Sequence, residues 1–420
     1  MAHPAGTGGQ LNAGRRILTR LAALALAALA VTLSASAHSG QPIKQAAHAQ
    51  APASAVEPDA LLVKTLLAIR ANRLDVALVE VDKVIQAYPN FRLAHLIRGD
   101  LLLARSQPLK TMGAAAGVAP ERVADLRQEA RARLARSQHE RPADRVPRYL
   151  IQLQPDQKYA LVVDASKSTL YVFENHNGSA RYLADYYISG GKNGFDKLRE
   201  GDKKTPLGVY HVTSSMPREK LADLYGVGAF PINYPNEWDR REGRSGSGIW
   251  LHGTPSDTFS RAPQASDGCV VLTNRDLEAI RQQVQIGLTP VIISSGIEWV
   301  DPQAISSVRQ ELAAGLESWR KDWESLDTNR YLRHYSPAFT SGTQDFRSYA
   351  QQKRQVNAGK QWVKVKVERV SMFLYPGKQR LAVVTFDQDY SSSNLSNRMR
   401  KRQYWIREGS GWRIVHEGAA

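Results

Sequence analysis

The chain has 420 residues, of which 42% are hydrophobic and 23% charged, so it is long enough for two or three domains with packed cores. Its formal net charge of +16 suits an anionic partner, such as nucleic acid, an anionic membrane surface or an acidic polymer. We expect no nucleic-acid partner, because the sequence has no zinc-finger spacing, no RNA-binding sheet signature and no sustained Lys/Arg block. The single cysteine also excludes an internal disulfide.

The N-terminus has the pattern of a secretory signal peptide. Three arginines at positions 15–20 precede an apolar run over residues 21–33, and the small residues 34–37 follow. This order predicts a signal peptide over residues 1–37, cleaved after Ala37, and export to the periplasm. The alternative is a retained inner-membrane anchor, which the run disfavours because a membrane-spanning helix needs about 20 apolar residues.

The next part of the chain is predicted to be a linker followed by helices. Residues 38–57 are rich in Ala, Gln, Pro and Ser and have no apolar period, which indicates a linker. Residues 58–148 form the predicted helical module, since apolar residues recur at helical spacing from residue 58 to about 106 and a basic helical segment follows. Its first part resembles a tetratricopeptide-type helix pair in which Pro89 ends the second helix, but it is too short for a solenoid. A packing cap and a docking surface are both open as its role.

Residues 149–297 change to β-branched residues with period-two alternation, which predicts a β-rich domain with few helices. Strands are expected within residues 159–175, 181–191, 207–215, 247–253, 268–272 and 288–294. One helix is expected inside this domain, because Thr273 and Asp276 have the spacing of a capping box before an amphipathic segment that runs to Gly287.

The C-terminal part, residues 303–420, begins with a segment over residues 305–339 that is predicted to be helical and carries Trp319 and Trp323, and it continues with long alternating strands. This order resembles the cone-shaped fold of the nuclear transport factor/ketosteroid isomerase superfamily. Because that fold hosts enzymes and binding modules alike, it does not assign a function, and we favour a binding or dimerising role over a second active site. The predicted fold class is therefore multidomain α+β: a helical module, a central β-rich domain and a cone-shaped α+β domain.

The only cysteine lies in the segment Ser266-Asp267-Gly268-Cys269, 17 residues after His252 at the end of an apolar strand. A cysteine nucleophile needs a neighbour that takes its proton, and histidine suits that role near neutral pH. Gly268 permits a tight turn whose backbone N–H groups could face a developing oxyanion. The alternatives are a buried structural cysteine and a histidine that only ends a strand. A metal site is set aside, because the segment lacks further ligands at metal spacing.

Residues 158–297 resemble the catalytic domain of the L,D-transpeptidase (YkuD-type) family. The resemblance rests on four segments in the family's order: REGDKKTPLGVYHV (199–212), GSGIWLHGTP (246–255), SDGCVVLTNRDLEAI (266–280) and GLTPVIIS (287–294). They match, in turn, the family's G-D-x-x-T-P strand, its His-Gly strand end, its [ST]-x-G-C turn and its final strand. The resemblance covers about a third of the chain.

The resemblance implies a peptidoglycan L,D-transpeptidase. Cys269 would attack the carbonyl between diaminopimelate and D-Ala of a stem tetrapeptide, D-Ala would leave, and an acceptor amine would resolve the thioester. His252 would serve as general base and acid. Backbone amides at Gly268 and Cys269 would form the oxyanion hole, with Ser266 supporting the turn. Thiolate chemistry of this kind implies no cofactor and no metal.

Two residues depart from the family pattern. Many members have His where this chain has Asp267, and Arg where it has Val271, so the role of Asp267 and the expected contact to a substrate carboxylate are open. These departures look most like the YafK-like branch, which includes enzymes acting on the bond between peptidoglycan and an attached protein. The acceptor could then be a second stem peptide, a lipoprotein lysine or water. The alternatives are a hydrolase of the same fold, an amidase or L,D-carboxypeptidase, and a non-catalytic peptidoglycan-binding scaffold.

A polar, Gly-rich segment over residues 234–248 precedes the His252 strand and is interpreted either as a lid over the cleft or as a surface loop. Its arginines Arg240, Arg241 and Arg244 are candidates for binding stem-peptide carboxylates, although a solvated charge run fits them as well. Gly253 is a further candidate substrate-binding residue. Protein partners of the terminal domains are also open.

Overall fold

The computed structural model describes residues 57–114, 119–138 and 141–420, so the predicted signal peptide and nearly all of the predicted linker lie outside the described residues. All described residues fall within one compact unit. In this part of the chain, no helix is long and apolar enough to cross a membrane. The predicted multidomain α+β architecture is confirmed, with helices first, a β-rich centre and a C-terminal α+β domain.

The helical module is built from α1 (Pro58–Arg70), α2 (Leu74–Ala87), α3 (Arg92–Leu103) and α4 (Pro120–Gln138). Helix α2 ends before Pro89 as predicted, because a residue preceding proline is disfavoured in the helical conformation. Apolar side chains such as Leu62, Val81 and Phe91 are fully buried between the helices. Phe259 of the central domain belongs to the same core, so the module is packed onto that domain. Its likeness to a tetratricopeptide pair stays a prediction.

The central region contains strands β1 (Val146–Pro147), β2 (Leu150–Gln152), β3 (Tyr159–Asp164), β4 (Thr169–His176), β5 (Ser179–Tyr187), β6 (Gly190–Gly191), β7 (Gly208–His211), β8 (Met216–Pro217) and β9 (Gly228–Pro231). It continues through α5 (Glu237–Arg241), β10 (Trp250–His252), β11 (Gln264–Ser266), β12 (Val270–Val271), α6 (Asn274–Arg281), β13 (Pro290–Ser294) and β14 (Trp299–Val300). Short 3₁₀ turns lie at Arg218–Lys220 and Asp223–Tyr225.

Two sheets of this region position the site. The larger has the order β5-β4-β3-β13-β7, and its middle strands β3 and β13 are parallel and almost completely buried. The second has the order β12-β10-β9-β8 and carries the predicted His and Cys segments on neighbouring strands. Leu161, Ile293, Leu251 and Val270 belong to one buried core that joins these sheets.

The C-terminal domain consists of α7 (Pro302–Glu324), α8 (Thr328–Leu332), β15 (Tyr335–Ser341), β16 (Gln344–Asp345), α9 (Phe346–Ala358), β17 (Val363–Leu374), β18 (Leu381–Ser392), β19 (Ser396–Glu408) and β20 (Gly411–Ala419). Its sheet has the order β16-β15-β20-β19-β18-β17-β2, so β2 from the start of the central region adds an edge strand to it. Trp319 and Trp323 both point into the core, as their spacing on one helix face predicts.

Three local expectations differ from the structure. Helix α6 has its Thr273 N-cap but ends at Arg281 and does not reach Gly287. Residues 335–341 form a strand although the sequence there continued a helical pattern. The segment 234–248 is not a simple loop: Asn236 and Asp239 form a reciprocal capping box that starts α5, and Trp238 stacks on Tyr404 of the C-terminal domain at 5.5 Å.

Candidate active site

The pairing of β10 with β12 places Cys269 and His252 on neighbouring backbone segments. These strands are parallel, with Leu251 opposite Val270 and His252 opposite Val271. Cys269 therefore directly precedes β12, beside the strand that ends in His252, although 17 residues separate the two in sequence. The thiol donates a hydrogen bond to the Gly248 carbonyl at 3.4 Å.

The turn that presents Cys269 is held by Ser266. The Ser266 hydroxyl donates to the Cys269 carbonyl at 2.6 Å and accepts from the Gly268 amide at 3.1 Å. Gly268 has a φ of +130°, and a Cβ at this position would lie 2.9 Å from the Lys204 carbonyl oxygen. Only glycine fits this backbone without strain. Because the Gly268 amide already has a partner in the turn, the Cys269 amide is the better candidate for an oxyanion donor.

The His252 ring is buried and its tautomer follows from one contact. Its Nδ1 lies 2.7 Å from the Gly253 carbonyl, which can only accept a hydrogen bond, so Nδ1 carries the proton. In the neutral ring Nε2 is then the free acceptor. The Tyr225 ring meets the imidazole edge-on at a centroid distance of 5.0 Å and limits its rotation. This geometry prepares His252 to take a proton through Nε2.

Asn274 organises the backbone beside His252, a role that the sequence reasoning did not assign. Its side-chain oxygen accepts from the Val227 and Thr254 amides, both at 3.1 Å, and its nitrogen donates to the Thr254 carbonyl at 2.9 Å. Gly253, packed against this carboxamide, donates its amide to the Tyr225 carbonyl at 3.1 Å. Gly253 thus has a positioning role in the structure; a direct contact with substrate stays a prediction.

Burial makes both reactive groups neutral. Burial, with a smaller effect of the nearby Arg261 guanidinium, lowers the pKa of His252 to about 4, although the hydrogen bond to the Gly253 carbonyl opposes this shift. Burial also raises the pKa of the Cys269 thiol, while the Trp250 backbone amide and Arg261 oppose that shift. At neutral pH the site therefore holds a neutral thiol and a neutral imidazole, and the proton must move during the reaction.

Two cations near the thiol were not predicted from the sequence. Arg261 interacts electrostatically with Cys269, and Lys197 does so more weakly. Lys197 is buried and its ammonium is bound to the Asp202 carboxylate at 2.7 Å, which helps to hold the pKa of that carboxyl below its usual range. Both cations stabilise the thiolate that forms when the proton is removed. Neither residue forms a sequence motif with Cys269, so the sequence alone does not predict this role.

Asp267 lies at the surface in an ion pair. Its side chain is 71% exposed and pairs with Lys192, whose ammonium lies 3.2 Å from Oδ1. Its negative charge raises the pKa of the Cys269 thiol, but less than burial does. Val271 is buried in β12 and offers no charge to a substrate.

The three candidate arginines of segment 234–248 are engaged elsewhere. Arg241 donates to the Ala338 carbonyl at 2.9 Å and lies over the Trp238 ring, so it joins the central and C-terminal domains. Arg244 lies 3.5 Å from the buried Asp239 carboxylate, and Arg240 donates to the Pro235 carbonyl. Their binding to stem-peptide carboxylates stays a prediction that these contacts do not support. Among the described residues no cluster of three or more His, Cys, Asp or Glu side chains could hold a metal ion.

Comparison with known proteins assigns two domains. The model of the L,D-transpeptidase catalytic domain (YkuD) matches residues 158–293, and that of the Cds6 C-terminal NTF2-like domain matches residues 311–418. The chain is 28% identical to Bd1075 of Bdellovibrio bacteriovorus, with a TM-score of 0.58 over 66% of this chain and 98% of that one. It is 27% identical to the helical cell shape determining protein Pgp2 of Campylobacter jejuni, with a TM-score of 0.56 over 64% of this chain and 95% of that one. No match was found among curated protein sequences.

Residues 158–293 are therefore an L,D-transpeptidase catalytic domain of the YkuD type, as the sequence motifs predicted. The chain combines this domain with an N-terminal helical module and a C-terminal NTF2-like domain. The similarity to Bd1075 and Pgp2 leaves about a third of this chain unmatched. The assignment to the YafK-like branch stays a prediction.

Proposed function

We propose that the protein is a cysteine acyltransferase that remodels peptidoglycan through a thioester on Cys269. The observation that carries the proposal is the arrangement of thiol and imidazole on adjacent parallel strands, with Nδ1 of His252 bound to the Gly253 carbonyl. A base oriented by a third group beside a nucleophile is the general pattern of covalent catalysis. Here the orienting group is a backbone carbonyl rather than a carboxylate.

In the first half-reaction, Nε2 of His252 takes the thiol proton as the sulfur attacks the carbonyl between diaminopimelate and D-Ala of a stem tetrapeptide. The buried site disfavours a standing ion pair, so charge develops only as the bond forms. The Cys269 amide at the Ser266-supported turn would donate to the oxyanion. The protonated imidazole then gives its proton to the departing D-Ala amine, and a thioester remains on Cys269.

In the second half-reaction an acceptor amine attacks the thioester, and the thiol is regenerated. We favour an amine over water because the YkuD domain family is named for transpeptidation. We also propose that the chain is exported to the periplasm, on the signal-peptide pattern of residues 1–37, and that it contributes to cell shape, by analogy with the helical cell shape determining protein Pgp2.

The test is product analysis after incubation of the purified protein with intact sacculi. Mass spectrometry should detect dimers linked between two diaminopimelate residues, together with released D-Ala, and Cys269→Ala should abolish both products. Tripeptides without dimers would show a carboxypeptidase, and release of a wall-linked protein would show an amidase; either result would replace the transferase proposal. Wall binding with unchanged products and no labelling of Cys269 by a carbapenem would show a non-catalytic scaffold.

A further inference from the structure

A cavity of about 750 Å³ lies between the helical module and the catalytic domain. One wall comes from helices α3 and α4 and includes Gly99 and Asp125. The other wall comes from the segment that leads to the catalytic turn and includes Arg261 and Ala265. Ala265 directly precedes Ser266, so the cavity reaches the base of the turn that carries the thiol.

Ring contacts and hydrogen bonds hold the two walls together. Phe259 packs between the rings of Tyr88 and Phe91, at centroid distances of 4.8 and 4.5 Å. Its amide donates to the Asn90 carbonyl at 3.2 Å, and the Asn90 side chain donates to the Ser256 carbonyl at 3.1 Å. These contacts attach the helical module to the segment that lies between His252 and Cys269 in the chain. The helical module is therefore packed against the segment that connects the two candidate catalytic residues.

Arg261 is a charged group that belongs both to the cavity wall and to the surroundings of the candidate catalytic residues. It lines the cavity, and its charge acts on both Cys269 and His252. Among the described residues its guanidinium forms no ion pair, whereas Glu129 on the opposite wall is bound by Arg133 and Asp257 by Arg92. Asp267 acts on this guanidinium electrostatically but is itself paired with Lys192. A half-buried guanidinium that forms no ion pair is suited to bind a carboxylate of a ligand.

The chemistry of acyl transfer indicates what that ligand is. In a two-step transfer the departing amine and the acceptor amine occupy the same side of the acyl carbonyl, because one replaces the other at that carbon. The departing D-Ala is an α-amino acid whose amine stands one carbon from a carboxylate. The group that replaces it would have the same chemistry if one subsite serves both. A cation beside an incoming amine also favours its neutral, nucleophilic form.

We propose that this cavity is the amine-side subsite of the transferase, formed jointly by the helical module and the catalytic domain, and that Arg261 binds the α-carboxylate of the amino-acid end that leaves or enters. This inference rests on the proposed acyl transfer. The neutral acceptor nitrogen attacks the thioester carbonyl carbon, the C–N bond forms and the C–S bond breaks. The amine proton passes to Nε2 of His252, and the thiolate of Cys269 then receives it.

The first test compares acceptors that differ only in the carboxylate. The full chain, acylated on Cys269 by a tetrapeptide stem, is offered D-methionine or D-methioninamide, and the rate of each transfer product is followed by mass spectrometry. Wild-type protein should prefer the carboxylate by about tenfold to a hundredfold, as expected for one charge-assisted hydrogen bond. Arg261→Gln should abolish the preference, and Arg261→Lys should restore part of it. Comparing the ratio between variants removes the intrinsic difference in reactivity between the two amines.

The second test fills the cavity from the helical wall. Gly99 lies within α3, and a Cβ placed there meets no atom within 4 Å, so Gly99→Leu should fold normally and project into the cavity. It should slow transfer to a tripeptide acceptor by about tenfold, while a carbapenem still acylates Cys269. Gly411→Leu is the matched control, since a Cβ there is equally unobstructed but lies at the start of β20.

Two results separate this inference from the function on which it rests. If no acyl-enzyme forms on wild-type Cys269, the proposed transferase itself is wrong. If the acyl-enzyme forms but wild-type protein uses D-methionine and D-methioninamide with the same preference as Arg261→Gln, the transferase stands and the subsite is overturned. Equal transfer by Gly99→Leu and Gly411→Leu to the tripeptide would likewise overturn the part played by the helical module.

Discussion

The protonation state of His252 makes a quantitative prediction about the pH dependence of acylation. Burial, with Arg261 adding to it, lowers the pKa of His252 to about 4, against an ordinary value of 6.5. This difference corresponds to roughly 3 kcal/mol against the charged ring. Because the imidazole must be neutral to accept the thiol proton, acylation should persist to well below pH 6 and decline with a midpoint near pH 4.

The same pKa predicts how stability changes with pH. The folded pKa of His252 lies below the unfolded one, so its contribution to folding is fully present above about pH 6.5 and is lost as the pH falls through 4. Protonation therefore opposes folding by up to about 3 kcal/mol at acidic pH. In urea unfolding, His252→Gln should lose less stability than wild-type protein between pH 6.5 and pH 4.

The predicted pH dependence of acylation is tested by measuring the second-order rate constant for Cys269 acylation by a carbapenem. Intact-protein mass spectrometry follows the reaction from pH 3.5 to pH 8. His211→Gln is the matched control, because burial lowers the pKa of His211 to about 4 as well, but its charged neighbours are Arg402 and Glu237. That variant should keep the wild-type acid limb. A wild-type midpoint near 6.5 would refute the reasoning, since it would show a solvated imidazole or a standing thiolate–imidazolium pair.

Two further predictions concern Asp267 and Phe259. Asp267→Asn should lower the pKa of the Cys269 thiol slightly and raise the acylation rate at neutral pH by less than about threefold, because the carboxylate is exposed and paired with Lys192. The thiol pKa is measured by pH-dependent alkylation, and a large loss of activity would show that Asp267 acts directly in catalysis. Phe259→Ala should cost about 3–5 kcal/mol of packing between the helical module and the catalytic domain, because its ring is 7% exposed and lies between two aromatic rings. Limited proteolysis should then cut within residues 57–138 faster than in wild-type protein, whereas the exposed Leu224→Ala should be cut at the wild-type rate.

The sequence pattern was sufficient to predict features that depend only on residues within one helix or strand. Helix α2 ends before Pro89 because proline restricts the residue ahead of it, and Thr273 caps α6 through its own side chain. Period-two alternation and apolar runs located the strands of the central sheet. The same kind of evidence failed where tertiary contacts decided: residues 335–341 pair with β20, and this pairing outweighs the helical pattern of the preceding segment.

The sequence by itself predicted the candidate catalytic pair and its turn, because Gly268, Cys269 and the His252-Gly253 strand end are short motifs whose chemistry can be inferred residue by residue. Only the tertiary structure decided what surrounds them. Arg261, Lys197 and the Asn274 side chain act through space, and the helical module meets the site because Phe259 enters its core. The burial that neutralises the thiol and the imidazole is likewise a property of the packed molecule, since it depends on residues that are distant in the chain and close only after folding.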